Sequence, residues 1–156
     1  MTILVLSDSH SWIDPMVQAV ERTQPDEIFH LGDCYIDAIK LHRRFPEIPL
    51  VQVPGNCDCR NDLPSEQLVT LEGKRILLCH GHTYGVKSSL ATAGFAAEAQ
   101  SLDAFLFGHT HSALCDYRGR TLFLNPGCVG PSLSPTYAVL TVEDGQLNAR
   151  IVPLND

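Results

Sequence analysis

The sequence Ala104-Phe105-Leu106-Phe107-Gly108-His109-Thr110-His111 contains the clearest structural signal in the chain. The uncharged run over residues 104–107 predicts a buried β-strand, and Gly108 lets the backbone turn tightly where that strand ends. His109 and His111 then follow at positions i and i+2, which point to the same side of an extended segment. Two neutral imidazoles on one side are good ligands for zinc, manganese, iron, nickel or cobalt. Taken alone, the pair is equally consistent with two unrelated loop histidines.

Four earlier segments repeat this organisation, in which an apolar run is followed by a polar residue that can bind metal. The predicted strands with these apolar stretches cover residues 3–6, 27–31, 50–53 and 75–79. The polar residues that follow these runs are Asp8 with His10, Asp33, Asn56 and His80. Because ligands of α/β proteins bind outside the carboxyl ends of the strands, we expect all seven side chains to meet in one site. Five strand ends that all supply metal-binding groups favour a metal centre over five separate coincidences.

The order of the predicted elements indicates a mixed α/β fold. Segments 14–22 and 35–44 have helical spacing and alternate with the first three strands, which predicts a β-α-β-α-β unit with parallel strands. A further helix is predicted over residues 86–100, and antiparallel hairpins are predicted after His111. The chain has 156 residues. We therefore expect a single domain, residues 1–156, with two packed sheets and helices outside them.

The composition is that of an ordinary globular protein, with 44% hydrophobic and 19% charged residues. The net charge of −7 and the lack of a Lys/Arg run argue against long nucleic acid as a partner. No stretch reaches the roughly 20 apolar residues that span a bilayer, and the first residues lack the features of a signal peptide. The six cysteines form no C-x-x-C pair, so we expect a reduced, cytoplasmic protein without membrane contact.

Seven ligands are too many for one metal ion, because a catalytic zinc site has about three protein ligands. The set therefore suggests two ions that share one carboxylate. Its nitrogen and oxygen donors favour manganese, iron, nickel, zinc or cobalt over calcium or magnesium. Two such ions suit the hydrolysis of a phosphate ester by a hydroxide that bridges them.

These motifs, in this order, resemble those of the calcineurin-like metallophosphoesterases. The five motifs are Asp8-Ser9-His10, Gly32-Asp33, Gly55-Asn56-Cys57-Asp58, His80-Gly81 and Gly108-His109-Thr110-His111. The chain length, His80-Gly81-His82 and Asn125-Pro126-Gly127 are similar to the short YfcE-type phosphodiesterase branch. The resemblance implies a four-layer αββα sandwich of two mixed sheets. It further implies one metal held by Asp8, His10, Asp33 and His111, and a second held by Asp33, Asn56, His80 and His109. Asp33 would bridge the two ions, and manganese is the first candidate metal.

The resemblance also suggests which residues act on the substrate: Asn56, Cys57, Asp58 and His82. Many relatives have a histidine in place of Cys57, beside the leaving oxygen. A thiol is a weaker donor, so we expect good cleavage of activated aryl diesters and slow cleavage of other esters. Alternatives are open: Cys57 only fills space, Asp58 orients or caps the adjacent turn, and His82 is an exposed loop residue. Trp12 either lines the pocket or packs against a helix.

The sequence thus predicts a metal-dependent phosphodiesterase that acts on a small phosphoester. Two alternatives keep the same metal site, namely a phosphomonoesterase and a nuclease for short oligonucleotides. A third alternative, from another class, is a non-catalytic interaction scaffold like the retromer subunit that has this fold. The resemblance also implies a homo-oligomer, either a dimer or a tetramer.

Overall fold

The computed structural model describes residues 1–59 and 61–155. In this part of the chain, ten strands form two five-stranded sheets. The first sheet has the order β10-β9-β1-β2-β3 and consists of β1 (Thr2–Leu6), β2 (Glu27–His30), β3 (Leu50–Gln52), β9 (Thr136–Glu143) and β10 (Gln146–Pro153). The second has the order β4-β5-β6-β8-β7 and consists of β4 (Glu66–Leu71), β5 (Lys74–Cys79), β6 (Ala104–Leu106), β7 (Leu114–Arg118) and β8 (Thr121–Asn125).

Both sheets are mixed, as predicted. Strands β1, β2 and β3 are parallel, and so are β5, β6 and β8, whereas β4, β7, β9 and β10 pair antiparallel with their neighbours. Parallel strands end at the same edge of their sheet. The loops that follow these six strands are therefore grouped at one edge of each sheet.

Alternating side chains of β1 show how the layers pack. Ile3 and Val5 lie in the core between the two sheets, whereas Leu4 and Leu6 face the helices on the outer side. Helices α1 (Asp14–Thr23) and α2 (Tyr35–Arg44) cover this side of the first sheet.

Helix α3 (Ala91–Ala99) packs in the same way against the second sheet, with Ala93 and Ala97 beside Phe105. The predicted four-layer αββα sandwich is thus confirmed. Among the described residues, no helix combines the length and the apolar character needed to cross a membrane.

The helix predicted over residues 86–100 begins later than expected. A single 3₁₀ turn covers His82–Tyr84, and α3 begins only at Ala91. The intervening residues are non-helical because Gly85 has a left-handed backbone with a φ of 61°, and the amides of Ser88 and Ser89 both donate to its carbonyl. This segment therefore forms a loop next to His80 instead of extending the helix.

Candidate metal centre

The candidate site is built by loops from both sheets. Asp8 and Asp33 follow β1 and β2 of the first sheet, whereas His80 and His109 follow β5 and β6 of the second. His80 Nε2 lies 3.5 Å from Asp33 Oδ2 and 3.9 Å from Asp8 Oδ1. The centroids of the His80 and His109 rings are 5.0 Å apart. The strand ends of the two sheets therefore meet in one site.

Four residues place one ligand atom each within 4.8 Å of all the others: Asp8, His10, Asp33 and His111. His111 Nε2 lies 3.2 Å from Asp8 Oδ1, and His10 Nε2 lies 3.8 Å from both Asp8 Oδ1 and Asp33 Oδ2. Two carboxylates and two imidazoles at such distances provide the mixed donors that transition metals prefer. These four residues are the set that the resemblance implied for one ion.

Three polar atoms at the centre have no hydrogen-bond partner although they are buried: Asp8 Oδ1, His10 Nε2 and His80 Nε2. Burying an unpaired carboxylate oxygen or imidazole nitrogen costs free energy, and buried polar groups in proteins are nearly always satisfied. Bound cations would satisfy all three atoms. The residues present thus fit a metal ion at this position.

Hydrogen bonds determine which carboxylate oxygen faces the centre. Asp8 Oδ2 accepts from the Ser7 hydroxyl at 2.6 Å and from the His109 amide at 3.1 Å, which leaves Oδ1 directed into the site. Asp33 Oδ1 accepts from the Cys57 amide at 3.0 Å, which leaves Oδ2 between His10 and His80. Asp33 Oδ2 thus faces two imidazoles at once, those of His10 and His80.

The imidazole of His80 is oriented in the same way. Its Nδ1 lies 2.7 Å from the Leu31 carbonyl. Because a carbonyl can only accept, Nδ1 carries a proton, and Nε2 is the nitrogen that faces the carboxylates. Burial, reinforced by His80, lowers the pKa of both His109 and His82 below the ordinary value for histidine. These rings are therefore neutral near pH 7, which is the form that binds metal.

The backbone of the predicted ligands differs from the extended segment expected from the i, i+2 spacing. Five of these residues have a positive φ: Asp8 at 57°, His10 at 44°, Asp33 at 59°, His109 at 69° and His111 at 61°. This left-handed conformation is uncommon for residues other than glycine, and such strain is concentrated at functional sites. The two side chains of each i, i+2 pair therefore converge through tight turns, and the explanation by strand alternation was wrong.

Two glycines permit the loops to approach one another. A Cβ atom on Gly108 would lie 2.0 Å from Ser7 Oγ, and one on Gly55 would lie 2.0 Å from Asp33 Oδ1. No side chain can be added at either position without moving a carboxylate or the hydroxyl that holds it. The lack of a side chain at both glycines is therefore needed for the loops to pack in this arrangement.

Asn56, Cys57 and His82 are exposed and lie at the rim of the site. The Asn56 side-chain amide lies 3.7 Å from Cys57 Sγ, and the His82 ring is 5.5 Å from His80 and 6.0 Å from His109 between centroids. Partial burial and the Asp33 carboxylate raise the pKa of Cys57 above its ordinary value of 9.0. Cys57 is therefore a neutral thiol near pH 7.

Asp58, which we grouped with the residues acting on substrate, faces the protein backbone. Its Oδ2 accepts from the amides of Asp33 and Gly55, and its Oδ1 accepts from those of Cys34 and Tyr35. Both oxygens are thus engaged, and the carboxylate joins the loop after β3 to the loop after β2. These contacts favour the orienting role over a direct contact with substrate.

A buried network beside the site was missed by the sequence analysis. His30 Nδ1 accepts from the Gly32 amide at 3.3 Å, so Nε2 carries the proton and donates to Ser9 Oγ at 3.2 Å. The Ser9 hydroxyl donates to Asp37 Oδ2 at 2.8 Å, and the Ser11 amide donates to the same oxygen. Nothing in the sequence marks this network, because His30 lies in an apolar run and its partners are distant in the chain.

Comparison with known proteins identifies the family. The sequence matches the calcineurin-like phosphoesterase superfamily domain over residues 1–145. The chain belongs to this superfamily. It is 33% identical over 156 residues to the probable metallophosphoesterase YsnB of Bacillus subtilis, covering 96% of this chain and 89% of YsnB. It is 32% identical over 128 residues to the phosphodiesterase YfcE of Escherichia coli, covering 75% of this chain and 65% of YfcE. These relatives confirm the YfcE-type branch and support a hydrolase.

Solved structures share the fold. A predicted phosphoesterase from Streptococcus pneumoniae superimposes with a TM-score of 0.79 at 23% identity, over 99% of this chain and 90% of that one. Vps29 of Entamoeba histolytica, in complex with zinc, superimposes with a TM-score of 0.78 at 19% identity, over 99% of this chain and 100% of that one. At such identities the similarity concerns the fold alone.

Proposed function

We propose that this chain is a metal-dependent phosphodiesterase with two divalent transition-metal ions, of which manganese is the first candidate. The three buried, unpaired atoms of Asp8, His10 and His80 carry this proposal. One ion would be held by Asp8, His10, Asp33 and His111, and the other by Asp33, Asn56, His80 and His109. The relatives named metallophosphoesterase and phosphodiesterase support the same reaction class.

When bound, the ions would supply an acidified water for in-line attack and positive charge for the phosphoryl oxygens. The chain itself holds the reacting groups in place. Asp33, whose Oδ2 lies between His10 and His80, would be the shared ligand. His109 and His111 are separated by one residue and would bind different ions. The turn between them would therefore set the distance between the two ions.

The leaving oxygen would lie at the rim, beside Cys57 and Asn56. A neutral thiol does not repel an anionic ester, but it is a weak proton donor. Leaving groups that need little protonation, such as nitrophenolate, should therefore depart readily. We expect Cys57→His to accelerate the cleavage of unactivated esters. An unchanged rate on these esters would show that Cys57 only fills space.

The test is a metal-reconstituted assay of the purified protein. We expect manganese-dependent release of nitrophenolate from bis(p-nitrophenyl) phosphate, faster than from p-nitrophenyl phosphate. His109→Ala should lower kcat/KM by about a hundredfold or more, because a ligand is lost. His42→Ala is the matched control, since His42 lies in the last turn of α2. If no metal supports cleavage of either ester, the proposal fails.

The relative rates also separate the alternatives. Faster cleavage of the monoester would identify a phosphomonoesterase, and cleavage of short oligonucleotides would identify a nuclease. Metal binding alone does not exclude a scaffold, because a Vps29 protein has been obtained with zinc. Metal binding without turnover of any ester would favour the scaffold. The proposed dimer or tetramer is tested by light scattering of the same preparation.

A further inference from the structure

Trp12 is an exposed aromatic residue on the loop that carries Asp8 and His10. It is the single tryptophan of the chain, and 52% of its surface is exposed. It follows His10 by two residues, and its amide donates to the Ser9 carbonyl at 3.0 Å. The adjacent Ile13 packs into the core between α1 and the first sheet, but Trp12 does not. Packing of α1 against the first sheet therefore does not explain why a tryptophan lies at position 12.

Trp12 borders a groove with a volume of about 580 Å³. The groove begins at Ser11, directly after His10, and extends to Gln18 and Arg44. The Ser11 amide donates to Asp37 Oδ2 at 2.7 Å, so this end of the groove is held in place. The volume is in the range of small-molecule sites, which combine an apolar surface with a few polar groups.

We propose that the Trp12 groove binds an aromatic group of the phosphoester, namely the ester group that is retained after cleavage. This inference rests on the proposed function, which puts the leaving group beside Cys57, on the loop after β3. Trp12 lies on a different loop, after β1, and the groove there is available to the second ester group. The ring would stack on the indole, while Gln18 and Arg44 provide hydrogen-bond donors for its polar substituents.

The kinetic test compares two diesters that share the p-nitrophenolate leaving group and differ in the retained group. We expect the wild type to prefer phenyl p-nitrophenyl phosphate to methyl p-nitrophenyl phosphate. Trp12→Ala should lower the phenyl-to-methyl ratio of kcat/KM by about tenfold, as expected for one lost stacking contact, and Trp12→Phe should restore most of it. Phe95→Ala should not change the ratio, because Phe95 is 73% exposed on α3, in the opposite outer layer. An unchanged ratio in Trp12→Ala would overturn the inference.

A binding test separates this inference from the proposed function. Because the chain has one tryptophan, its emission reports on the groove without any turnover. Phenylphosphonate added to the metal-loaded protein should change the emission saturably, at concentrations about tenfold lower than methylphosphonate. Equal responses to both compounds, or no response, would overturn the groove assignment even if diesters are cleaved. A selective response without cleavage of any ester would support the groove while the proposed function fails.

Discussion

Gly108 is a residue at which the loop after β6 closely approaches the loop after β1. A methyl group at this position would lie 2.0 Å from Ser7 Oγ and 2.8 Å from Asp8 Oδ2. We predict that Gly108→Ala displaces the Asp8 carboxylate, lowers manganese affinity at least about tenfold, and lowers the free energy of unfolding by about 1–3 kcal/mol. Isothermal titration with Mn²⁺ and chemical denaturation measure the two effects.

Gly94 provides the matched control. It lies within α3, and a Cβ atom there would meet nothing within 4 Å. Gly94→Ala should therefore raise the free energy of unfolding, by about 0.5–1 kcal/mol, and leave manganese affinity unchanged. Unaltered manganese affinity in Gly108→Ala would mean that the Asp8 loop adapts to the added methyl group. The close approach of Gly108 to this loop would then not be needed for metal binding.

The second prediction at the residue scale concerns Asp58. Asp58→Asn replaces one carboxylate oxygen by an NH₂ group, which must face two amide donors whichever way the side chain is turned. We expect a loss of about 2–4 kcal/mol in the free energy of unfolding. Asp116→Asn, on the exposed strand β7, should change it by less than about 0.5 kcal/mol. Similar changes in the free energy of unfolding for both variants would show that Asp58 does not join the loops after β2 and β3.

At the residue scale, the sequence indicated the chemical types of the site residues but not their backbone conformation. The residue types after each strand pointed to the candidate ligands, because carboxylates and imidazoles are the usual metal-binding groups. The left-handed φ angles of Asp8 and His10 were not predictable, since neither residue requires them. The role of Asp58 was also open, because its four contacts involve loops that are far apart in the chain.

At the scale of elements, His30 ties the end of β2 to the loop after β1 and, through Ser9, to α2. Burial lowers its pKa from 6.5 to about 4, despite the opposing effect of Asp8, Asp37 and Asp58. Between these two pH values the unfolded chain binds one more proton than the folded chain, so stability falls as the pH falls. The loss should reach about 3 kcal/mol by pH 4.

His30→Gln removes this titration and keeps a polar side chain. We predict that its free energy of unfolding declines less steeply than that of the wild type between pH 6.5 and pH 4. Urea denaturation at a series of pH values, with chelator present in every sample, measures the difference. His42→Gln, a change to a partly exposed histidine of α2, should follow the wild-type curve. Parallel curves for His30→Gln and wild type would contradict the prediction.

The elements themselves were predicted with uneven success. Strands β1, β2, β5 and β6 were found because apolar stretches end at a glycine or a polar motif, and both features are local. The start of α3 was misplaced, because the alanine-rich composition of residues 86–100 favours a helix throughout. The turn that ends at Gly85 is stabilised by contacts with neighbouring residues, and these overrule the helical propensity.

For the whole molecule, the important feature is that the candidate site joins the two sheets. Asp8, His10, Asp33 and Asn56 belong to loops of the first sheet, whereas His80, His109 and His111 belong to loops of the second. The sequence suggested one site at the strand ends, but pattern alone did not divide the strands between two sheets. That division depends on the shared apolar core between the sheets, which is built from residues far apart in the chain.

Metal binding should consequently stabilise the sandwich as a unit. Ions bound only by the folded state raise stability in proportion to the logarithm of their concentration, by about 2.7 kcal/mol at a hundred times Kd. For a chain of this size, that corresponds to a rise in Tm of roughly 5–10 °C. We predict this rise when manganese is added to chelator-treated protein, and calorimetry measures it.

Substitution of a candidate ligand on either sheet should abolish the manganese-dependent rise in Tm to the same extent. Asp33→Asn alters a ligand on the first sheet and His80→Ala one on the second, and both should lose most of the manganese-dependent rise in Tm. Glu98→Ala, on the exposed face of α3, should retain the full rise. If His80→Ala kept the rise and only Asp33→Asn lost it, the stabilising ion would be held without His80, by Asp8, His10, Asp33 and His111. The loop that carries His80 would then only close the site, and the two-ion arrangement would have to be abandoned.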